Sequence, residues 1–164
     1  MSDDDHVSDD EKVPSLAAWA GGPAAIRGLF ERFYQRVASH ELLAPIFASM
    51  HPKHAQHVAA FVAEVLGGPK DYSSVGGSHA GMITRHLGRK LTQEQRRVWM
   101  ALLLDTADEL GLPDDPEFRA SLVGYLEWGS RLAVMNSQEG VGAPDSAVPM
   151  PSWTWSSPGG PYRP

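Results

Sequence analysis

Met82-Ile83-Thr84-Arg85-His86-Leu87-Gly88-Arg89-Lys90-Leu91-Thr92 is the stretch around which the chain is organised. Its spacing predicts a short helix that stops at Gly88, with one histidine near its end. Met82 and Ile83 lie four and three residues before His86, so the three share a face. Arg85 and Arg89 sit beside that face. A second helix begins at Thr92, and Trp99 falls two turns into it. An imidazole held against apolar neighbours, with basic groups alongside, suits the single protein ligand of a flat, apolar cofactor that carries carboxylates. The other segments are read for the remaining walls of that pocket.

Composition limits the alternatives. The 164 residues suit one domain, and 42% hydrophobic content is enough for a core without surplus. No apolar run is long enough to span a membrane. The acidic start, Met1 to Lys12, has no apolar h-region and so does not read as a secretory signal. The absence of cysteine excludes disulfides, thiolate zinc sites, Fe–S clusters and cysteine catalysis, and fits a cytoplasmic setting. A net charge of −6 without a basic cluster argues against nucleic acid as a partner.

Three regions follow. Residues 1–13 read as a disordered acidic tail, 14–137 as the folded domain, and 138–164, rich in Pro, Gly and Ser, as a second disordered tail. In that tail Trp153 and Trp155 alternate with small polar residues; they read as two sticky aromatics in a flexible tail, with a short docking strand as the alternative. Within the domain the patterns are helical, with no convincing strand. Pro23 opens a helix whose stripe is Ile26, Leu29, Phe30, Phe33, Tyr34 and Val37. A turn broken by Pro45 carries Leu42, Leu43, Ile46 and Phe47. Pro52 opens the next helix, with the stripe Val58, Phe61, Val62 and Val65 and a sharp end at Gly67-Gly68-Pro69. His54 extends that stripe, and His57 lies off its edge. Asp71 to Ser78 reads as loop. Thr92-Gln93-Glu94-Gln95 is a capping box, and its helix predicts a stripe of Val98, Trp99, Leu102, Leu103, Thr106 and Leu110. Asp115-Pro116 starts the last helix, with Phe118, Leu122, Tyr125, Leu126, Leu132 and Ala133 inward and an end near Asn136.

Tyr34, His54, Trp99 and His86 are thus polar-tipped rings on inward faces of different segments. Each alone is ordinary core, because a buried ring with a polar hydrogen needs only one partner. Together they suggest a lined cavity.

The segment Leu16 to Ser137 resembles the group II truncated haemoglobins, the two-over-two helical globins of bacteria. The matching residues are Phe33-Tyr34-Gln35-Arg36-Val37-Ala38-Ser39-His40, Leu42-Leu43-Ala44-Pro45-Ile46-Phe47, Leu66-Gly67-Gly68-Pro69 with Tyr72, Arg85-His86, Trp99 thirteen residues beyond that histidine, and Asn136. The resemblance implies an all-α fold around haem b. It makes His86 the proximal iron ligand and Tyr34 the tyrosine that hydrogen-bonds oxygen. Trp99 becomes the group II tryptophan that points its indole N–H at the same ligand. Phe47 wedges against the haem, and His54 and Val58 take the distal positions. Arg85 becomes a propionate partner. Phe61 and Met82 join the cavity lining. Where many members continue the histidine with Pro-Phe, this chain has Leu87-Gly88-Arg89-Lys90. The spacing from Phe47 to Gly67 leaves both His54 and His57 as distal candidates. Counting back from Gly67-Gly68-Pro69, together with the apolar stripe, favours His54.

Three readings of function follow. One is a monomeric or homodimeric haem protein with a pentacoordinate iron, binding O2, CO or NO and releasing O2 slowly. Another is a redox enzyme acting on NO or peroxide with a separate reductase, since no flavin or nicotinamide motif is present. The third is a haemless helical interaction module.

Overall fold

A computed structural model describes residues 13–157 and 159–162, so the predicted acidic tail lies almost wholly outside the described residues. Among those residues there are six α-helices and no strand: α1 (Leu16–Trp19), α2 (Pro23–Ala38), α3 (His54–Val65), α4 (His79–Thr84), α5 (Gln93–Glu109) and α6 (Pro116–Asn136). Two 3-10 turns, Ala44–Phe47 and Ser73–Val75, lie between them.

The long helices pack as two pairs. α2 packs on α3, α5 on α6, and α2 also on α5. The predicted α2 stripe is its buried face, with Ile26, Leu29, Phe30, Phe33, Tyr34 and Val37 all inside. Phe33 is fully buried at the centre. From α3 come Phe61, Val62 and Val65, and from α6 Phe118, Leu122, Tyr125 and Leu126. Burial of each large apolar side chain contributes about 1.5–3 kcal/mol, which makes this shared core the main stabilising element.

The helix ends obey local chemistry. Thr92 and Gln95 form the capping box, with the Gln95 N–H donating to Thr92 Oγ1 at 3.1 Å and the Thr92 N–H to Gln95 Oε1 at 2.9 Å. Asp115 caps α6 by accepting from the Phe118 N–H at 3.1 Å, and its other oxygen accepts the Trp19 indole N–H at 2.9 Å. α3 ends at a glycine pair. Gly67 has φ +88°, and a Cβ there would meet the Ser15 Cβ at 2.9 Å. Only glycine lets α1 approach this closely, so that the Ala17 N–H reaches the Leu66 carbonyl at 3.0 Å.

The structure departs from the sequence reading in four places. The helix leading to His86 ends at Thr84 rather than Gly88, and His86 sits in the turn that continues it. α3 begins at His54, after a turn over Pro52 and Lys53. On α5 the buried face runs through Arg96, Met100, Leu103, Thr106 and Ala107, while Leu110 is exposed and Trp99 half-buried. The face is rotated because Arg96 turns inward to pair with Glu127 on α6 at 2.9 Å. Finally, the segment predicted as a disordered tail from 138 is irregular but not detached. Trp153 donates its N–H to the Val65 carbonyl at 2.8 Å, and the Trp155 indole donates to the Pro14 carbonyl at 2.8 Å. Two large rings cover core edges that composition alone does not reveal.

Candidate functional site

Apolar residues that the core does not fully bury converge on one cavity of about 500 Å³. Phe47, Val58, Met82, Ile83, Trp99 and Leu132 are all half-buried, and all line it. Its walls come from α2 to α6 and the turn carrying Phe47. Exposed basic residues Arg85 and Arg89 border it, together with His51 and His57. The volume falls within the roughly 300–1,000 Å³ of cofactor pockets. A cavity with apolar walls and a cationic rim suits a flat apolar body with anionic groups at one edge.

His86 is fixed by its own turn. Its backbone N–H donates to the Ile83 carbonyl at 2.9 Å, and its ring Nδ1 lies 2.8 Å from the Met82 carbonyl oxygen. A carbonyl only accepts, so the proton sits on Nδ1. Nε2 is then left with its lone pair and, among the described residues, no protein partner. Burial lowers the pKa of His86 from the ordinary imidazole value, and the Met82 bond partly opposes that. The ring is therefore neutral at pH 7, the form that binds a metal. The loop beyond it is pinned to the end of α6. Lys90 adopts φ +51° and donates its N–H to the Ser137 carbonyl at 2.8 Å, while the Leu91 N–H reaches Ser137 Oγ at 3.0 Å.

Tyr34 and His54 meet on another wall. Tyr34 Oη lies 3.1 Å from His54 Nε2, and the rings stand edge to face at 4.9 Å. Phe47 packs edge-on against Tyr34 at 5.4 Å. Burial raises the pKa of Tyr34, so its hydroxyl keeps its proton. His54 is pushed down to about 4, first by burial and then by the positive charge of Arg85, with smaller effects from His57, Arg89 and His86. It too is neutral at pH 7. His57 lines the rim but is exposed and stacks on His51 at 5.9 Å, away from Tyr34. Trp99 packs edge-on against Phe33 at 5.5 Å, and its indole N–H has no acceptor among the described residues. Each expected site residue, Tyr34, Phe47, His54, Val58, Phe61, Met82, Arg85, His86 and Trp99, thus lies on the same cavity.

Other lining residues were not expected. Tyr125, Leu126, Leu132 and Ala133 belong to the α6 stripe, but that stripe reads as core and not as a cavity wall. Arg89, read with Arg85 as a basic group beside the His86 face, is the second guanidinium on the rim, one turn after Arg85. His79, buried between the rings of Phe61 at 6.3 Å and Trp128 at 6.0 Å, gave no sequence signal beyond its place after Ser78.

Packed helix pairs enclosing a largely apolar cavity, with the His86 imidazole held on its wall and Nε2 free, define a helical sandwich built around a prosthetic group. Comparison with known proteins assigns the family. The model for the family described as Bacterial-like globin matches residues 17–127. Group 2 truncated hemoglobin YjbI of Bacillus subtilis is 36% identical over 117 residues, which span 71% of this chain and 86% of that protein. The structure of a truncated oxygen-avid haemoglobin from Bacillus subtilis superposes with a TM-score of 0.65 at 35% identity, over 74% of this chain and 99% of that one. The group II truncated hemoglobin of Bacillus anthracis gives a TM-score of 0.67 at 25% identity, over 77% and 95%. The chain belongs to the truncated haemoglobins, in group II of that family. Membership implies a haem globin, and the residues present fit the group: a free imidazole Nε2, apolar walls and a rim with two guanidinium groups. Among the described residues no helix is long and apolar enough to cross a membrane.

Proposed function

We propose that the chain binds haem b through His86 Nε2 and holds O2 in the space bounded by Tyr34, His54 and Trp99, releasing it slowly. The observation that carries this reading is the pairing of two features on one cavity. His86 is locked by the Met82 carbonyl with Nε2 free, and Tyr34, His54 and Trp99 are clustered donors. When bound, haem supplies a ferrous iron that takes O2, CO or NO. The chain supplies the rest.

The Met82 carbonyl sets the tautomer and the plane of the His86 ring and makes the imidazole a better donor. Arg85 and Arg89 hold the propionates at the rim. On the distal side the tautomer of His54 decides what Tyr34 does. A neutral His54 carrying its proton on Nε2 donates to Tyr34 Oη, and the phenol hydrogen is then free for a ligand in the cavity. Donors in such a chain polarise one another. The Trp99 N–H, with no protein acceptor among the described residues, is the second donor. Hydrogen bonds to a ligand that carries negative charge contribute about 1.5–3 kcal/mol each. These donors therefore slow O2 release far more than CO release, because bound CO carries less charge. The description of the Bacillus subtilis relative as oxygen-avid supports this reading.

The test is O2 release from the ferrous protein, followed by stopped flow against excess CO. A slow, single-phase displacement is expected. Oxygen that leaves within the mixing time would contradict the proposal.

A further inference from the structure

The α6 wall of the cavity is backed by residues outside the globin portion of the chain. The family match ends at residue 127, and the irregular segment around Trp153 returns to the body well beyond it. Trp153 enters with its N–H on the Val65 carbonyl at 2.8 Å, satisfying a last-turn acceptor of α3. Its ring lies 5.8 Å from the rings of both Tyr125 and Trp128, and both of those line the cavity. The indole lies beside Gly124, where an added Cβ would sit 3.7 Å from it.

Tyr125 is the residue this clamp holds. The residue is 5% exposed and lines the cavity, and its hydroxyl has no hydrogen-bond partner among the described residues. Gly129, one turn further on and itself part of the cavity lining, lies beside the phenol, where an added Cβ would sit 3.9 Å from the hydroxyl. Burial keeps the phenol protonated. A phenol on the cavity wall with no protein partner has its hydrogen free for what fills the cavity.

We propose that Trp153 is a positioning residue for the prosthetic group, clamping Tyr125 so that its phenol hydrogen faces the cavity. The proposal rests on the haem reading above. Trp155 provides the control. It is anchored to the Pro14 carbonyl and packs on Trp19 at 6.0 Å and Phe118 at 6.4 Å, neither of which lines the cavity. It ties down the same segment without touching the wall.

The experiment measures haem transfer from the full-length ferric protein to an excess of an acceptor apoglobin, with thermal melts of the haem-free chain in parallel. Trp153→Ala and Tyr125→Phe are each expected to speed release about tenfold, the size of one hydrogen bond or aromatic contact. The double variant should release no faster than the faster single one, because one residue acts through the other. Trp153→Phe should restore most of the wild-type rate. Trp155→Ala should lower the haem-free melting temperature about as much as Trp153→Ala while leaving release within about twofold of wild type. Equal release from the two tryptophan variants, or effects of Trp153→Ala and Tyr125→Phe that multiply, would overturn the proposal. A wild-type chain that takes up no haem would overturn the cavity reading, and this proposal with it.

Discussion

Replacing Tyr34 with phenylalanine removes one oxygen atom and nothing else from the distal wall. The ring contacts survive: Phe33 at 4.9 Å, Phe47 at 5.4 Å and His54 at 4.9 Å. What is lost is the 3.1 Å bond to His54 Nε2. A bond between neutral groups is worth about 1 kcal/mol, and half-buried His54 can turn to water, so the haem-free protein should lose no more than that. For a chain of this size the melting temperature should fall by roughly 2–4 °C. The effect on function should be larger. A hydrogen bond to a charged acceptor contributes about 1.5–3 kcal/mol, so O2 release should quicken by roughly ten- to a hundredfold. CO release should change far less. Stopped-flow dissociation of both gases from wild type and Tyr34→Phe checks this. A lowered melting temperature with an unchanged O2 rate would refute the reasoning and leave the hydroxyl as a packing partner of His54 only.

Trp99→Phe keeps the edge-on contact with Phe33 and removes the indole N–H, so O2 release should again quicken by about tenfold or more, read by the same assay. The two donors share one acceptor, so the double variant should fall short of the product. Acid should destabilise the haem-free protein. His54 titrates at about 4 in the fold, below the roughly 6.5 of an unfolded chain, so the unfolded state binds more protons between these values. Stability is complete above about pH 6.5 and falls as pH drops towards 4, by on the order of 1–2 kcal/mol after allowance for solvent screening of a half-exposed ring. Denaturant titrations across that range check it, and His54→Leu should flatten the slope. Thr92→Ala breaks the capping box and should cost about 1 kcal/mol of stability in the same titration, with no change in gas release.

What the sequence revealed was mostly local. The α2 stripe, the Thr92 box and the Asp115-Pro116 start depend on neighbours within a turn or two, and each stands where the spacing puts it. The different placing of the two histidines was legible for the same reason: His54 continues an apolar stripe that His57 leaves, and in the fold His54 reaches Tyr34 while His57 is exposed. The α5 face was less legible. Its pattern puts Leu110 on the inward stripe, but Leu110 is exposed, and Arg96 takes a buried place through an ion pair with a distant helix. Periodicity reports that a residue avoids water. It does not say whether protein or a prosthetic group provides the shelter, which is why Leu132 and Ala133 read as core. The packing of Trp153 on Val65 and Tyr125 was illegible, because nothing in a Pro- and Ser-rich stretch encodes a partner so many residues away.

The most direct test is the absorption spectrum of the purified chain loaded with haem, ferric, ferrous and with CO, compared between wild type, His86→Ala and His57→Ala. Wild type and His57→Ala should hold one haem per chain through gel filtration and show the ferrous spectrum of iron with a single histidine ligand. His86→Ala should lose most of its haem. A His86→Ala protein that keeps full haem content and an unchanged ferrous spectrum would contradict the assignment of His86 as the residue that holds the iron.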